Sequence, residues 1–211
     1  IRYLNGKNRD PNTHPPVRSW TRSEVLRDTR FYLLIPGYVA PSIIVTALFL
    51  HHLTLAESKG WSHTWVTGNY IVYAASAVFT AIVAGPLIDR FKAVRLLPLA
   101  LAPLILGLAS LAVFDSQYIV LPYMFMLGMT AGLVHTAGVA VWPELYGLRY
   151  LGAVKSLGAT LMVFGSALGP VTLGGLMDIG MPIETVCLVF IVYSIIGGIL
   201  MYSAFRRSKT T

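Results

Sequence analysis

The residues of this chain best suited to chemistry are histidines that stand inside long apolar stretches. His135, followed by Thr136, lies near the middle of one stretch, and the neighbours His51 and His52 lie near the end of another. Histidine exchanges a proton at about pH 6.5, so it can carry a proton or present a switchable positive charge to an anion. Adjacent helical residues point about 100° apart, so we expect one of the pair, for which we choose His51, to face a cavity together with His135. The plainer alternatives are an interfacial polar residue for His51 and an interhelical hydrogen bond for His135.

Aromatic and hydroxyl side chains in the same stretches are the other candidates for lining such a cavity. Residues four apart share one face of a helix, so Tyr38 and Thr46 share a face with Ser42, which lies between them. The full set of further candidates is Tyr38, Thr46, Asn69, Tyr73 and Tyr123.

A second set of charged residues stands at the ends of the apolar stretches. Asp89 is expected to face the start of the fifth helix, where the helix dipole stabilises a carboxylate by about 0.3–1 kcal/mol. Glu144 ends the fourth helix, and we expect Arg90 or Arg149 to offset its charge. The alternative is that these residues are ordinary interfacial anchors in solvated loops, where ion pairs contribute only ~0–1 kcal/mol.

The elements that position these residues follow from the distribution of charge. The sequence is 55% hydrophobic and 12% charged, whereas a soluble domain is roughly 25% charged. Six stretches contain no Asp, Glu, Lys or Arg, and each is long enough for the roughly 20 residues of a membrane-spanning helix: 31–56, 61–88, 96–114, 116–143, 156–177 and 185–205. They lack the alternation of barrel strands, so the sequence predicts an all-α membrane protein with six transmembrane helices.

The basic residues predict the orientation of these helices. All but Lys59 of the 16 Lys and Arg residues fall on one side, and basic residues collect on the cytoplasmic side. We therefore expect a multi-pass protein of the cell (inner) membrane with both termini cytoplasmic. The net charge of +7 then needs no nucleic acid as a partner.

The same pattern predicts the domain organisation. Residues 1–28 are expected to form a cytoplasmic linker, 29–206 a six-helix transmembrane domain and 207–211 a cytoplasmic tail. Within the linker, Thr21 and Glu24 have the spacing of a capping box. The chain starts in the middle of this linker, which suggests that a further segment precedes it.

A short repeat relates the two halves of the predicted domain. The second helix ends in GPLID (85–89) and the fifth in GGLMD (174–178), on opposite sides of the membrane. Matching motifs three helices apart predict two inverted three-helix repeats, an arrangement typical of secondary transporters.

Three segments of the sequence resemble the major facilitator superfamily. GPLIDRFKAVR (85–95) resembles its loop signature, with Lys92 in place of the usual glycine; WPELYGLRYLGAVKSL (142–157) resembles a later loop of bacterial members; and GSALGPVTLGGLMD (165–178) is similar to its Gly-Pro-Gly-Gly antiporter motif. The resemblance implies the C-terminal six-helix half of a twelve-helix transporter, with an N-terminal six-helix half as its partner. It also implies that Asp89 and Arg90 act as a cytoplasmic latch for alternating access. We expect Glu144 and Arg149 to belong to the charge network of the same gate.

These observations favour a secondary transporter that moves a small organic anion, such as a monocarboxylate, together with a proton, and bacterial members that resemble this chain include carboxylate carriers. The alternatives are a drug or lipophilic-compound exporter and, if the chain is complete, a six-helix channel or structural protein. The expected partners are the small-molecule substrate, the proton and the lipid bilayer. An enzyme is not expected, because the spans lack acids and no histidines stand four apart. No cofactor or metal is expected either, since Cys187 is the single cysteine.

Overall fold

A computed structural model describes residues 18–207, and the regular elements in this part of the chain are all helices. Its α-helices are α1 (Arg22–Val25), α2 (Thr29–Leu50), α3 (His52–Ser58), α4 (His63–Gly68), α5 (Tyr70–Phe91), α6 (Ala93–Leu96), α7 (Leu101–Val113), α8 (Val120–Tyr146), α9 (Leu151–Asp178) and α10 (Ile183–Arg207). Two 3-10 segments, Pro98–Ala100 and Gln117–Ile119, precede α7 and α8.

Six helical segments are long and apolar enough to cross a membrane, which confirms the predicted fold class. They are Thr29–Leu50, His63–Phe91, Ala93–Val113, Gln117–Tyr146, Leu151–Asp178 and Ile183–Arg206. The first of them stops earlier than the uncharged stretch does, because the chain leaves α2 at His51 and continues in the separate helix α3.

Local sequence explains how the chain enters the first span. The predicted capping box is present, since the amide of Thr21 donates to Glu24 Oε2 at 2.7 Å and the amide of Glu24 donates to Thr21 Oγ1 at 3.4 Å. The pKa of Glu24 is lowered by the bonds that its carboxylate accepts, first from the Thr21 amide and then from the Thr21 hydroxyl. Asp28 then caps α2 by accepting from the amide of Arg30 at 3.0 Å.

The helices pack in a pattern that two equivalent three-helix groups produce. α2 packs against α9 and α10, α8 packs against α5 and α7, and α7 packs against α10. Exchanging the first, second and third spans for the fourth, fifth and sixth leaves this set of neighbours unchanged. The packing therefore agrees with the inverted repeat that the GPLID and GGLMD motifs predicted.

Glycines allow the closest of these helix contacts. A Cβ atom on Gly169 of α9 would collide with the carbonyl oxygen of Ile43 on α2. A Cβ atom on Gly37 of α2 would lie 2.6 Å from the carbonyl oxygen of Gly197 on α10, and Gly132 of α8 meets α5 at a similar separation. Larger side chains at these positions would force the backbones apart, so the small residues decide which helices are neighbours.

A buried lysine joins the ends of the bundle that lie away from the basic loops. Lys59 Nζ lies 2.7 Å from Asp115 Oδ1 and 2.9 Å from Glu184 Oε1, and the Lys59 side chain is 2% exposed. The indole of Trp61 donates to the backbone carbonyl of Asp115 at 2.6 Å. The α3–α4 connection is thereby tied to the α7–α8 connection and to the start of α10. Burial alone would lower the pKa of Lys59, but the hydrogen bonds to Asp115 and Glu184 outweigh it and raise the pKa.

We expect Lys59→Met to lower the free energy of unfolding by about 1–2 kcal/mol, because two carboxylates lose their shared cation. Since the folded pKa lies above the ordinary value of 10.5, this contribution is fully present below that value and is lost as the pH rises through the folded pKa. Denaturant unfolding of the purified protein between neutral and alkaline pH measures it. Lys155→Met, at the opposite end of the bundle, is the control, and equal stability of the Lys59 and Lys155 variants at neutral pH would contradict the prediction.

Candidate functional site

The bundle is open on one side, between α5 and α9. These two helices pack against α8 and α2 respectively but do not pack along each other. Only 17% of the span that contains α5 and 17% of α9 is buried, compared with 50% for α2 and for the α8 span. The central helices α2 and α8 therefore form the floor of an opening whose walls are α5 and α9.

His135 lies on this floor. It stands on α8 between Gly132, which contacts α5, and Gly138, where an added Cβ atom would lie 3.4 Å from the Tyr38 ring of α2. The side chain is exposed and lies on the side of α8 between its contacts with α2 and α5, so it faces the opening. Eleven residues of helix separate it from Tyr146, which corresponds to a depth of about 16 Å from the end of α8. Thr136 is half-buried, and its hydroxyl donates to the carbonyl of Gly132 at 2.9 Å.

Thr46 lies on the α2 side of the floor. Ser42, one turn earlier, donates its hydroxyl to the carbonyl of Met162 on α9 at 2.7 Å, so this face of α2 is turned towards α9. Thr46 is half-buried, and its hydroxyl makes no hydrogen bond to any side chain or backbone group between residues 18 and 207. Its oxygen is available to a molecule in the opening.

Of the adjacent histidines, His52 is the one held in a cluster of aromatic rings. Its Nδ1 lies 3.1 Å from the hydroxyl of Tyr70 and its Nε2 lies 2.8 Å from the hydroxyl of Tyr123. The ring of Phe49 lies 4.7 Å from that of His52 and 4.8 Å from that of Tyr73. These five residues, which we call the histidine–tyrosine cluster, join α2, α3, α5 and α8 at the end of the bundle that is remote from the basic loops.

The structure places His51 between the end of α2 and the α9 wall of the opening. It is half-buried, and its Nδ1 lies 3.0 Å from the carbonyl oxygen of Ala47, which only accepts, so Nδ1 carries the proton. The other ring nitrogen lies beside Gly174 of α9. The sequence did not distinguish His51 from His52, because their order along the chain does not show which of them a tyrosine hydroxyl can reach.

Two further candidates serve packing rather than the opening. Tyr38 is 8% exposed, and its hydroxyl accepts a hydrogen bond from the indole of Trp142 at 3.3 Å. Asn69 is 7% exposed, and its amide donates to the carbonyl of Trp65 at 2.7 Å, where α4 meets α5. Of the tyrosine candidates, Tyr73 and Tyr123 are the two that the structure brings together with a histidine.

At the basic end, a carboxylate fixes the turn between the second and third spans. Glu144 accepts from the backbone amides of Ala93 at 2.8 Å and Val94 at 3.1 Å. The preceding residue, Lys92, has φ 71° and ψ 146°, a conformation that glycine adopts easily and other residues adopt at a cost of about 1–3 kcal/mol. The chain thus keeps the turn that a glycine would make, although a lysine occupies the position.

The expected ion pair between Arg90 and Glu144 does not form. The backbone amides occupy both oxygens of Glu144, and the guanidinium of Arg90 lies over the ring of Phe91 at 5.3 Å. Asp89 is exposed and makes no hydrogen bond to residues 18–207, so it does not cap the start of α9 here. The guanidinium of Arg149 lies over the ring of Tyr150 at 5.4 Å.

The arrangement defines a class of protein. Six spans in two equivalent groups, with polar residues on the floor of an opening near the middle of the spans, are characteristic of secondary transporters. Among residues 18–207 no group of three His, Cys, Asp or Glu side chains is close enough together to hold a metal ion.

The family follows from comparison with known proteins. The profile of the Major Facilitator Superfamily matches residues 39–211, and the chain belongs to that superfamily. No curated protein gives a significant match to the sequence. The protein is therefore a multi-pass membrane protein of a superfamily of secondary transporters for small solutes, whose members are generally not enzymes.

We expect Lys92→Gly to raise the free energy of unfolding by about 1 kcal/mol, because glycine removes the backbone strain at φ 71° and this gain exceeds its extra chain entropy. For a protein of this size the gain corresponds to roughly 2–4 °C in thermal midpoint. Lys92→Ala is the matched control, since it removes the charge but keeps the Cβ atom. A Gly variant no more stable than the Ala variant would show that the turn carries no strain.

Proposed function

We propose that this protein carries a small organic anion, such as a monocarboxylate, together with a proton, by alternating access. The observation that supports the proposal is the place of His135, exposed on the floor of the opening at mid-membrane depth. The six uncharged stretches contain no Asp, Glu, Lys or Arg, so histidine is their means of changing charge near neutral pH.

A protonated His135 would attract a carboxylate, and a neutral His135 would release it. The attraction is strong in a surrounding of low dielectric constant, and releasing the proton with the anion leaves the floor uncharged. Thr46 supplies a hydroxyl that can donate to a carboxylate oxygen, and His51 borders the same wall through Gly174 of α9. The substrate and the proton would thus share one binding region.

The histidine–tyrosine cluster is proposed to close the remote end of this region. His52 has a partner at each ring nitrogen, so the neutral ring is fully hydrogen-bonded, with one nitrogen donating and the other accepting. Tyr70 and Tyr73 are only half-buried, so this aromatic surface is available to the apolar part of a substrate.

The exposed sides of α5 and α9 are proposed to pack against a partner, an N-terminal six-helix half. Both helices carry an apolar stripe, which includes Ile71, Val78 and Ile82 on α5 and Val163 and Val171 on α9. A second set of spans would cover the opening and complete the cavity. We propose that the basic end faces the cytoplasm of a cell with this protein in its inner membrane, as the positive-inside rule predicts.

A drug or lipophilic-compound exporter is the second candidate, and the apolar wall of α9 favours it. Phe164 and Leu168 are 65% and 58% exposed on this wall. A neutral ligand would bind there without a change of charge, so its affinity would not depend on the protonation of His135.

Ligand-induced stabilisation distinguishes the two candidates. We expect monocarboxylates to raise the thermal midpoint of the intact protein, with an affinity roughly tenfold (~1.4 kcal/mol) higher at about pH 5.5 than at about pH 7.5. His135→Gln should abolish this difference, because glutamine cannot gain a proton. His63→Gln is the control, since His63 lies in the remote helix α4. Stabilisation by neutral lipophilic compounds alone, equal at both pH values and in both variants, would support the exporter and contradict the proposal.

The charged residues of the basic end are proposed to act as a latch that holds the cytoplasmic side closed. Glu144 organises the turn that follows Asp89 and Arg90, and Arg149 follows the end of α8. Asp89 has no hydrogen bond within the described part of the chain, so a partner across the opening can engage it when the two sides approach.

We expect Asp89→Asn to open the cytoplasmic side more often. A cysteine placed at the exposed position Ser156 on α9 should react about two- to fivefold faster with an impermeant reagent in inside-out vesicles, for a loss of ~0.3–1 kcal/mol. Cys187 is buried and should not interfere. Asp178→Asn, the equivalent change in the second motif, should not raise the rate. Unchanged labelling in Asp89→Asn would contradict the latch, and labelling from right-side-out vesicles would contradict the orientation.

A further inference from the structure

A groove runs along the edge of the bundle where α7 packs against α10. This edge lies opposite the opening between α5 and α9, since α7 and α10 close the ring of helices on the other side. Two cavities of about 380 Å³ and about 340 Å³ lie along it, and Pro98 and Tyr202 line both of them. The two cavities therefore form one continuous groove, which extends from the basic end into the membrane-spanning part.

Two features of the sequence create the groove. The third span is interrupted by the 3-10 segment Pro98–Ala100 before α7 begins, so no regular helix covers α10 at this level. On α10, Gly198 has no side chain, and a Cβ atom there would lie 3.4 Å from Leu101 Cδ1. Ala102 and Ile199 form the sides of the deeper part.

The chemistry of the groove changes along its length. At its basic end Arg95 and Arg206 line the first cavity together with Leu99 and Phe205. Both arginines are exposed, and neither forms an ion pair with a carboxylate among residues 18–207. The deeper cavity is lined mainly by aliphatic side chains. The exceptions are Tyr202, where the two cavities meet, and Ser194, whose hydroxyl donates within its own helix to Phe190 at 2.8 Å.

We propose that this groove binds one anionic phospholipid, with its phosphate between Arg95 and Arg206 and one acyl chain along the deeper cavity. Guanidinium groups bind phosphate oxygens in a fixed fork geometry, and basic residues at the membrane surface attract anionic lipid. Tyr202, which is 60% exposed where the two cavities meet, has the amphipathic character that suits the interface between headgroup and chain. The groove would bind this lipid whatever solute the protein carries.

The charge of the site argues for a lipid with a net negative headgroup. A zwitterionic headgroup would bring its own cation next to two arginines, and a neutral lipid would leave both without a counter-ion. A second protein chain on this edge would have to place an apolar ridge in the deeper cavity and an acidic side chain near the two arginines. One phospholipid supplies the equivalent groups, because its acyl chain is apolar and its phosphate is negatively charged.

Lipid binding to the intact, delipidated protein in detergent tests the proposal. Phosphatidylglycerol and phosphatidylcholine with identical acyl chains are titrated, and the bound lipids are counted by native mass spectrometry. We expect the parent to bind one phosphatidylglycerol preferentially, and the double variant R95Q/R206Q to bind it roughly thirtyfold more weakly, for two basic contacts. The double variant R22Q/R27Q, which removes two exposed arginines outside the groove, should bind as the parent does.

A second pair of variants tests the chain-binding part of the groove. Ala102→Phe fills the deeper cavity from an exposed position and should weaken phosphatidylglycerol binding, whereas Leu106→Phe, one turn further along α7 and outside both cavities, should not. Inorganic phosphate and the water-soluble glycerophosphoglycerol headgroup are included as probes without acyl chains. If R95Q/R206Q cannot be purified, the single variants R95Q and R206Q are compared with R22Q.

Several outcomes would overturn the proposal. Equal binding of the two lipids, or unchanged binding in R95Q/R206Q, would show a nonspecific lipid layer. Unchanged binding in Ala102→Phe, or an affinity for the headgroup alone equal to that for the lipid, would show a free-anion site without an acyl chain. A dimer that Ala102→Phe dissociates would show that a second copy of the chain occupies the groove instead.

Discussion

Close approach of helix backbones at glycine is the constraint on which the rest of this structure depends. Helices in a bilayer gain little from hydrophobic burial against each other, so their contacts rely on packing and hydrogen bonds. Many hydroxyls here bond within their own helix, as Thr130 does to Met126 and Ser194 does to Phe190, and therefore do not join helices. The glycines let α2 meet α9 and α10, and let α8 meet α5, because a side chain at Gly169 or Gly132 would collide with a neighbouring carbonyl.

This constraint also decides where function can reside. Since the glycine contacts are made by α2 and α8, these two helices become central, and α5 and α9 become walls that each have one unpacked side. Among the polar groups that remain unburied on the central helices, His135 and Thr46 then face the opening between the walls. α2 and α8 take equivalent places in the two repeats. The packing of the helices therefore accounts both for the inverted symmetry of the motifs and for the position of the candidate site.

The sequence predicted the spans and the class of fold well, because the charges that end a membrane helix are explicit. It predicted the rotation of each helix poorly. Uniformly apolar helices carry little amphipathic signal, so Tyr38 was expected in a cavity although it packs against Trp142. Which of two adjacent histidines meets a hydroxyl depends on the break of α2 at His51 and on Tyr123 from a distant helix, neither of which has a local signal. The turn at Lys92 has no local signal either. Glu144, which is distant in the sequence, holds this turn by accepting hydrogen bonds from the backbone amides that follow Lys92.

The polar contacts of the described residues cross-brace the two repeats at both ends of the bundle. At the remote end, Lys59 of the first repeat binds Glu184 of the second, and His52 binds Tyr123. At the basic end, Glu144 of the second repeat holds the amides of Ala93 and Val94 in the first. A movement of one repeat against the other would have to break these contacts and separate the glycine-packed backbones. A movement of the whole bundle as one body would break none of them.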